Sequence, residues 1–239
     1  MTYIYADNAA TTRLSDAAFE AMKPYMLNEY GNASTLYKLG RSAHKAVENA
    51  RGVFAKGINA LPAEIYFTSG GTESDNWAIK GTAHRLAASG KKHIVTDNIE
   101  HHAVLNSAKA LEREGFEVTY VSSDKNGLVR AEDVAAAIRP DTALVSVMFA
   151  NNELGTIQPV AEIGSICRSE GVLFHCDAVQ AAGILPIDVK QMNIDLLSMS
   201  AHKFHGPKGV GIMYARRGCV PETYIDGGEQ ERGHRAGTE

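Results

Sequence analysis

Short apolar runs alternate along this chain with segments of helical periodicity, and this alternation limits the possible folds more than any other feature. Strands are predicted near 65–68, 93–96, 117–121, 143–149, 172–176, 195–199 and 211–215. Helices are predicted near 15–28, 40–58, 69–88, 102–114, 131–138 and 160–170. Nearly continuous apolar strands joined by helices are typical of a mostly parallel sheet flanked by helices. The sequence therefore predicts an α/β fold.

Length, charge and cysteine content narrow the class of protein further. The 239 residues suffice for one large domain or two small ones. One large domain is expected, at residues 16–239, after an N-terminal segment of residues 1–15. A formal net charge of −4 argues against a general nucleic-acid binder or a polybasic membrane surface. No apolar run approaches the roughly 20 residues that span a bilayer. Three well-separated cysteines do not make a disulfide framework, so a reducing, cytoplasmic setting is expected.

Polar side chains follow several of the predicted strands at the point where each strand ends. In parallel sheets, ligands bind beyond the carboxyl ends of the strands. The polar groups at these ends are found at 69–72, 100–102, 151–153, 177 and 180, and 200–203. Because each end supplies a group of a different kind, the sequence predicts one binding site at this edge of the sheet.

Three of these residues suit a pyridine ring that carries an aldehyde. Lys203 follows a buried strand, where poor hydration favours the neutral amine that attacks an aldehyde, although a surface lysine is the commoner interpretation of one lysine alone. Asp177 would keep a ring nitrogen protonated, or would cap the following helix. Gln180 would reach the same ligand if the turn is helical, or would lie in solvent.

Other strand-end residues suit a phosphate and an aromatic ring. Gly71 and Thr72 open a helix and offer backbone N–H groups and a hydroxyl to an anion, although an ordinary helix cap is the commoner interpretation of such a turn alone. Ser200 and His202 alternate to one side of an extended strand and would add hydrogen bonds, or would bond locally in a turn. His101 would stack on the ring and move protons, or would be an ordinary surface histidine. The histidine spacings match no metal site, so no metal is predicted.

Eight segments of the chain resemble motifs of the cysteine desulfurases, in the branch that serves iron–sulfur cluster assembly. The segments are 6–12, 31–34, 68–76, 100–104, 151–155, 177–180, 198–209 and 227–238. The resemblance extends over nearly the whole chain. It implies the large domain of a fold-type I enzyme that uses pyridoxal 5'-phosphate, formed by residues 16–239.

The resemblance implies roles around the cofactor ring. Lys203 would hold the cofactor as a Schiff base, and His101 would stack on the ring and assist proton transfer. Asp177 would pair with the pyridinium nitrogen and Gln180 with the ring hydroxyl. Asn152 would lie near the ring and the substrate carboxylate.

The resemblance also implies how the phosphate is bound and how subunits associate. Gly71, Thr72, Ser200 and His202 would hold the phosphate. Thr238 matches the residue that reaches the phosphate of a neighbouring subunit, so a homodimer is implied.

The implied reaction converts L-cysteine to L-alanine and leaves the sulfur as a persulfide on an enzyme cysteine, which passes it to an iron–sulfur scaffold or a sulfur carrier. The family's nucleophilic cysteine and its substrate-clamping arginine lie beyond position 239, as does the smaller C-terminal domain, so the chain is expected to be truncated. Cys167, Cys176 and Cys219 do not match the nucleophile's motif. Tyr37 stands where the family usually has histidine.

Two further interpretations stay open on the sequence. One is a related fold-type I enzyme, either a selenocysteine lyase or an aminotransferase. The other is a truncated relic that keeps the fold and acts as a binding protein without catalysis.

Overall fold

The computed structural model describes residues 4–239, and it contains one sheet of seven strands in the order β1-β7-β6-β5-β4-β2-β3. The strands are β1 (Ile65–Thr68), β2 (His93–Asp97), β3 (Glu117–Val121), β4 (Thr142–Ser146), β5 (Leu173–Asp177), β6 (Leu196–Ser200) and β7 (Gly211–Ala215). Four neighbouring pairs run parallel, and β7 runs antiparallel to both β1 and β6. The predicted α/β fold with a mostly parallel sheet is confirmed.

Helices cover both faces of this sheet. They are α1 (Asp16–Leu27), α2 (Lys38–Gly57), α3 (Gly71–Asn76), α4 (Thr82–Ala87), α5 (His102–Arg113), α6 (Ala131–Ala137) and α7 (Val160–Glu170). Local sequence fixes some of their ends: the Ser15 hydroxyl oxygen accepts a hydrogen bond from the Ala18 N–H at 3.1 Å and so caps α1. The division of the chain at residue 15 stays a prediction.

Two predicted elements differ from the structure. The helix expected at 69–88 is interrupted by a π-helical turn at Trp77–Gly81, which seats the fully buried Trp77 ring with its indole N–H donating to the Glu222 carbonyl at 2.8 Å. The strand expected at 143–149 ends at Ser146, although the Phe149 N–H still donates to the Asp177 carbonyl at 2.8 Å. Its last residues are therefore extended but leave the regular ladder.

The two faces of the sheet bury separate hydrophobic cores. Phe174, Leu197 and Tyr214 belong to the core on one face, whereas Leu144, Leu196 and other residues pack with Trp77 on the opposite face. Alternation along β5 therefore puts His175 and Asp177 on the face covered by α3. Among residues 4–239, no helix combines the length and the apolar character needed to cross a membrane.

Candidate active site

A cavity of about 500 Å³ lies at the carboxyl ends of the central strands, where the sequence predicts a ligand. The residues that line it come from the N-terminal segment, α3, the start of α5 and the ends of β4, β5 and β6. They are Asp7, Ala9, Ala10, Gly71, Thr72, Asp75, His101, Met148, Ala150, Asn152, Glu153, Asp177, Val179, Gln180, Ser200, His202 and Lys203. All the predicted site residues except Thr238 are in this set.

Lys203 lies at the end of a 3₁₀ turn, Ala201–Lys203, that directly follows β6. Its Nζ donates to the Ala9 carbonyl and, at 3.0 Å, to the Ala10 carbonyl. Burial lowers the pKa of Lys203, although Asp177 and Asp7 act in the opposite direction. The amine is thus held inside the cavity and is easier to deprotonate than a surface lysine.

Asp177 is the last residue of β5 and is buried. Its Oδ1 accepts a hydrogen bond from the Val179 N–H at 2.9 Å. Burial raises the pKa of the carboxyl, and the Val179 N–H, His101 and Lys203 oppose that rise. Asp177 is therefore a buried carboxyl that faces the Lys203 amine across the cavity. Gln180 follows in the same turn and donates from Nε2 to the Ala9 carbonyl at 2.9 Å.

His101 is the N-cap residue of α5. Its Nδ1 accepts a hydrogen bond from the Ala103 N–H at 3.1 Å. Because Nδ1 is an acceptor, the neutral imidazole carries its proton on Nε2, a tautomer inferred from this hydrogen bond. His101 is exposed at the cavity wall, so the ring is accessible to a ligand.

Gly71 and Thr72 begin α3, and Ser200 and His202 lie opposite them, lining both the main cavity and an adjoining one. A Cβ at Gly71 would lie 2.6 Å from Val179 Cγ2, so this close approach of helix and turn requires glycine. The expectation that Ser200 and His202 alternate along one extended strand is wrong. Ser200 ends β6, but His202 lies in the 3₁₀ turn, where its Nδ1 contacts the Thr11 hydroxyl at 3.0 Å.

A tight turn explains the position of His202. The N–H groups of Phe204 and Gly206 both donate to the Ala201 carbonyl, at 3.1 and 2.8 Å. A Cβ at Gly206 would lie 2.7 Å from the Ala201 Cβ, so the turn closes only because residue 206 is glycine. The chain therefore bends immediately after Ser200, and His202 still lines the cavity.

Thr238 is exposed and lies outside the cavity. Its segment is nevertheless linked to the start of α3 by an ion pair that the sequence did not predict. Arg235 binds Glu73 through Nε at 2.7 Å and Nη2 at 3.0 Å, and Glu73 Oε2 accepts the Ser69 N–H at 2.8 Å. Glu73 thereby holds the loop before α3 on one side and the C-terminal segment on the other.

Sequence reasoning missed Asp75 and the two alanine carbonyls that bind Lys203. Asp75 is 1% exposed and contributes to the cavity wall. Asp75 follows Thr72 by one helical turn, and residues three apart share a helix face, so the sequence could have indicated that Asp75 also lines the cavity. Ala9 and Ala10 lie inside a segment that resembled the family, but backbone contacts carry no side-chain signature.

The three cysteines are all buried as free thiols. Burial raises the pKa of Cys167 to about 12 and raises the pKa of Cys176 and Cys219 as well. A thiol nucleophile needs access to solvent and a lowered pKa. The expectation that no cysteine here suits that role agrees with their positions.

Comparisons with known proteins agree with this arrangement. Residues 4–232 match the profile of the family described as "Aminotransferase class-V". The chain is 54% identical over 236 residues to "Cysteine desulfurase IscS" of Methanosarcina thermophila, covering 99% of this chain and 58% of that protein. It is 50% identical over 239 residues to "Putative cysteine desulfurase IscS 1" of Bacillus subtilis, covering 100% of this chain and 63% of that protein.

Solved structures give the same result. A structure described as "NIFS-LIKE PROTEIN" superposes with a TM-score of 0.96 at 44% identity, over 100% of this chain and 66% of that one. A second, described as "SspA in complex with cysteine", has a TM-score of 0.96 at 43% identity, over 99% of this chain and 69% of that one. The chain spans about three fifths of the length of the curated relatives it matches.

Proposed function

The chain belongs to the aminotransferase class-V family, among relatives named cysteine desulfurases that use pyridoxal phosphate, and from this premise we propose that it is the cofactor-binding part of such a desulfurase. The observation that carries the proposal is the meeting of three groups in one cavity. These are the Lys203 amine, the buried Asp177 carboxyl and the start of α3 at Gly71 and Thr72. The proposed reaction converts L-cysteine to L-alanine and releases the sulfur to a cysteine thiolate.

The residues of the cavity fit pyridoxal phosphate chemically. The cofactor has an aldehyde, a basic ring nitrogen and a dianionic phosphate. The cavity offers the Lys203 amine to the aldehyde, the Asp177 carboxyl to the ring nitrogen and the start of α3 to the phosphate. Gly71 and Thr72, at the start of α3, line both this cavity and the adjoining one. When bound, the cofactor supplies an aldehyde that condenses with amines and a ring that accepts electrons.

Lys203 would supply the amine that binds the cofactor. Burial lowers its pKa, which increases the share of neutral amine, and the Ala9 and Ala10 carbonyls orient Nζ. His101 would move the substrate Cα proton, because its Nδ1 is occupied by the Ala103 N–H and Nε2 is left for proton transfer.

Asp177 would accept a hydrogen bond from the ring nitrogen and keep that nitrogen protonated. Gln180 would bind the ring hydroxyl, and Asn152 would lie near the ring and the substrate carboxylate. Gly71, Thr72, Ser200 and His202 would hold the phosphate. Support for these roles comes from the common cavity and from the strand-end positions that bring the residues there.

A direct test of the cofactor assignment is chemical labelling. Purified chain mixed with pyridoxal phosphate is expected to develop a visible absorption band, and borohydride reduction is expected to fix the label on Lys203. Lys208 lies in the adjoining cavity and is the matched control lysine. Lys203→Ala should abolish the label, and Lys208→Ala should keep it. A label on another lysine in folded protein would refute the assignment.

The sulfur-accepting step needs a thiolate that this chain does not offer, because Cys167, Cys176 and Cys219 are buried with raised pKa values. We therefore expect the 239-residue chain to bind pyridoxal phosphate and L-cysteine without forming a protein persulfide. Persulfide labelling after incubation with cysteine tests this. Sustained production of sulfide and alanine by this chain would contradict it, and activity restricted to selenocysteine would favour a selenocysteine lyase.

We further propose a homodimer in which Thr238 of one subunit reaches the phosphate site of the other. Support comes from the exposure of Thr238 and from the Arg235–Glu73 pair, which fixes its segment beside α3. Light scattering tests the oligomeric state, and Thr238→Ala should weaken cofactor binding only in the dimer.

The proposed sulfur acceptor is an iron–sulfur scaffold or a sulfur carrier. A cytoplasmic setting is proposed from the three cysteines, all of which are free thiols.

A further inference from the structure

Asp75 is a buried acid at the wall of the cavity that none of the roles above uses. It lies in α3, one turn after Thr72, and is 1% exposed. Within residues 4–239 its Oδ1 has no hydrogen-bond partner. A buried carboxylate oxygen without a partner is strongly disfavoured, so a carboxyl with such an oxygen is stabilised by holding a proton or by facing a cation.

The groups around Asp75 come from each element packed against this part of α3. The titratable ones are His175 and Asp177 of β5, Asp97 and Glu100 at the end of β2, and His101 at the start of α5. On this face of the sheet β6 and β7 contribute, among the described residues, the uncharged Ser198 and Met213, whereas Tyr214 packs in the opposite core. Carboxyl groups therefore dominate the surroundings.

The nearest base cannot neutralise Asp75. His175 Nε2 lies 3.6 Å from Asp75 Oδ1, but both ring nitrogens are engaged with serine hydroxyls, Nδ1 with Ser146 at 2.8 Å and Nε2 with Ser198 at 3.0 Å. The ring is fully buried, and burial lowers the pKa of His175 to about 3. His175 is therefore neutral and offers Asp75 no counter-charge.

Asp75 and Asp177 form a close pair with unequal surroundings. One carboxylate oxygen of each residue and a ring nitrogen of His101 lie within 4.8 Å of one another. Asp177 also accepts the Val179 N–H at 2.9 Å and has the Lys203 amine on its side of the cavity, and both favour its charged form. Two like charges this close resist joint ionisation, so the single charge should lie where the cations are.

We propose that Asp75 is a positioning residue that holds a proton as a neutral carboxylic acid, so that Asp177 alone carries the negative charge offered to the cofactor ring. The inference deepens the proposed function, because the ligand of Asp177 is the pyridine nitrogen proposed above. Burial and the Asp177 charge raise the pKa of Asp75, against a smaller lowering by a hydrogen bond from the Ser198 side chain, in agreement with this division of charge. No further reactant is needed, since one proton stays on Asp75 and Asp177 stays ionised.

The protonation state can be measured without cofactor, which separates this inference from the proposed function. Infrared spectra of the 239-residue chain at neutral pH are expected to contain the C=O stretch of a buried neutral acid. Asp75→Asn should remove one component of that band, whereas Asp177→Asn should keep it. Asp97→Asn is the control for the neighbouring acid and should leave the Asp75 component in place. An unchanged band in Asp75→Asn would overturn the inference.

Cofactor titration gives the second readout. Asp75→Asn keeps the shape and the neutral charge, so its affinity for pyridoxal phosphate at neutral pH should stay within about threefold of the wild type, whereas Asp177→Asn should lose at least about tenfold. Raising the pH should weaken binding in the wild type through ionisation of Asp75, and Asp75→Asn should lack that component. Asp75→Ser serves as a second uncharged variant if the amide disturbs folding.

The pattern of losses decides between the alternatives. An equal or larger loss in Asp75→Asn than in Asp177→Asn would place the charge on Asp75 and refute the inference. Wild-type affinity in both variants would refute the ring-nitrogen role of Asp177, while the infrared result would still report where the proton lies.

Discussion

The pair of Arg51 and Glu231 gives the sharpest test of how the C-terminal segment is held. Arg51 in α2 binds Glu231 through Nη1 at 2.7 Å and Nη2 at 3.1 Å, and the two side chains are only 3% and 2% exposed. Glu231 has a φ of 45° and Arg232 a φ of 60°, a left-handed conformation that non-glycine residues rarely adopt. The buried ion pair therefore holds a strained turn in place.

Glu231→Gln should leave the Arg51 charge buried without its counter-charge. Breaking a buried pair by removing one partner costs about 3–5 kcal/mol, which is a large part of the roughly 5–15 kcal/mol that keeps a domain folded. Urea unfolding should show this loss as a lower midpoint. Glu48 is the matched control, because it also binds Arg51, at 2.8 Å, but is 43% exposed. Glu48→Gln should cost less than about 1 kcal/mol.

The double variant Arg51→Met with Glu231→Leu makes the reasoning refutable. It removes both charges, and Arg232 Nη2 still donates to the Ile65 carbonyl at 2.7 Å, so that carbonyl keeps a partner when Arg51 is lost. We expect the double variant to be more stable than Glu231→Gln alone. If it is less stable, or if Glu231→Gln costs no more than Glu48→Gln, the buried charge does not govern this turn.

Three further predictions follow from other contacts. Arg235→Ala releases Glu73 and the loop before α3, and should weaken pyridoxal phosphate binding by roughly tenfold. Titration with the cofactor measures this loss, with Arg217→Ala, at an exposed position, as the control. Equal affinities of the two variants would contradict the prediction. The three buried cysteines should resist a maleimide in native buffer and react in denaturant, and one rapidly labelled thiol would show that a cysteine is accessible. Because folding raises the pKa of Asp75 above its unfolded value near 4, its contribution to stability is complete at lower pH and is lost as pH rises towards the folded pKa. As the pH rises through that window, the free energy of unfolding of Asp75→Asn should therefore increase relative to that of the wild type by up to about 1.4 kcal/mol per pH unit. If the free energies of unfolding of the two proteins depend on pH in the same way, the raised pKa is excluded.

Much of the fold follows from local pattern. Apolar runs predict each strand, and the rule that ligands bind at the carboxyl ends of parallel strands points to Asp177 and Lys203. Strand ends are reliable signals because alternation along a strand and the change to polar residues are both visible in the sequence.

The parts that sequence did not predict depend on distant contacts. An aspartate within a helix usually faces solvent, and Asp75 is buried only because α3 packs on β6 and β7. The 3₁₀ turn that carries His202 requires Gly206 to approach Ala201. The regular strand predicted at 143–149 ends at Ser146, although the chain stays hydrogen-bonded to β5 as far as Phe149. Single-residue patterns contain no information on such approaches.

The hydrogen bonds from Lys203 to the Ala9 and Ala10 carbonyls also have a temporal consequence. The donor and acceptors are separated by 194 and 193 residues. At synthesis rates of about 5–20 residues per second, the first wall of the cavity leaves the ribosome roughly 10–40 s before the lysine that binds to it. During this interval the Ala9 and Ala10 carbonyls lack their lysine partner, so the proposed capture of the cofactor by Lys203 can follow only after β6 has been synthesised.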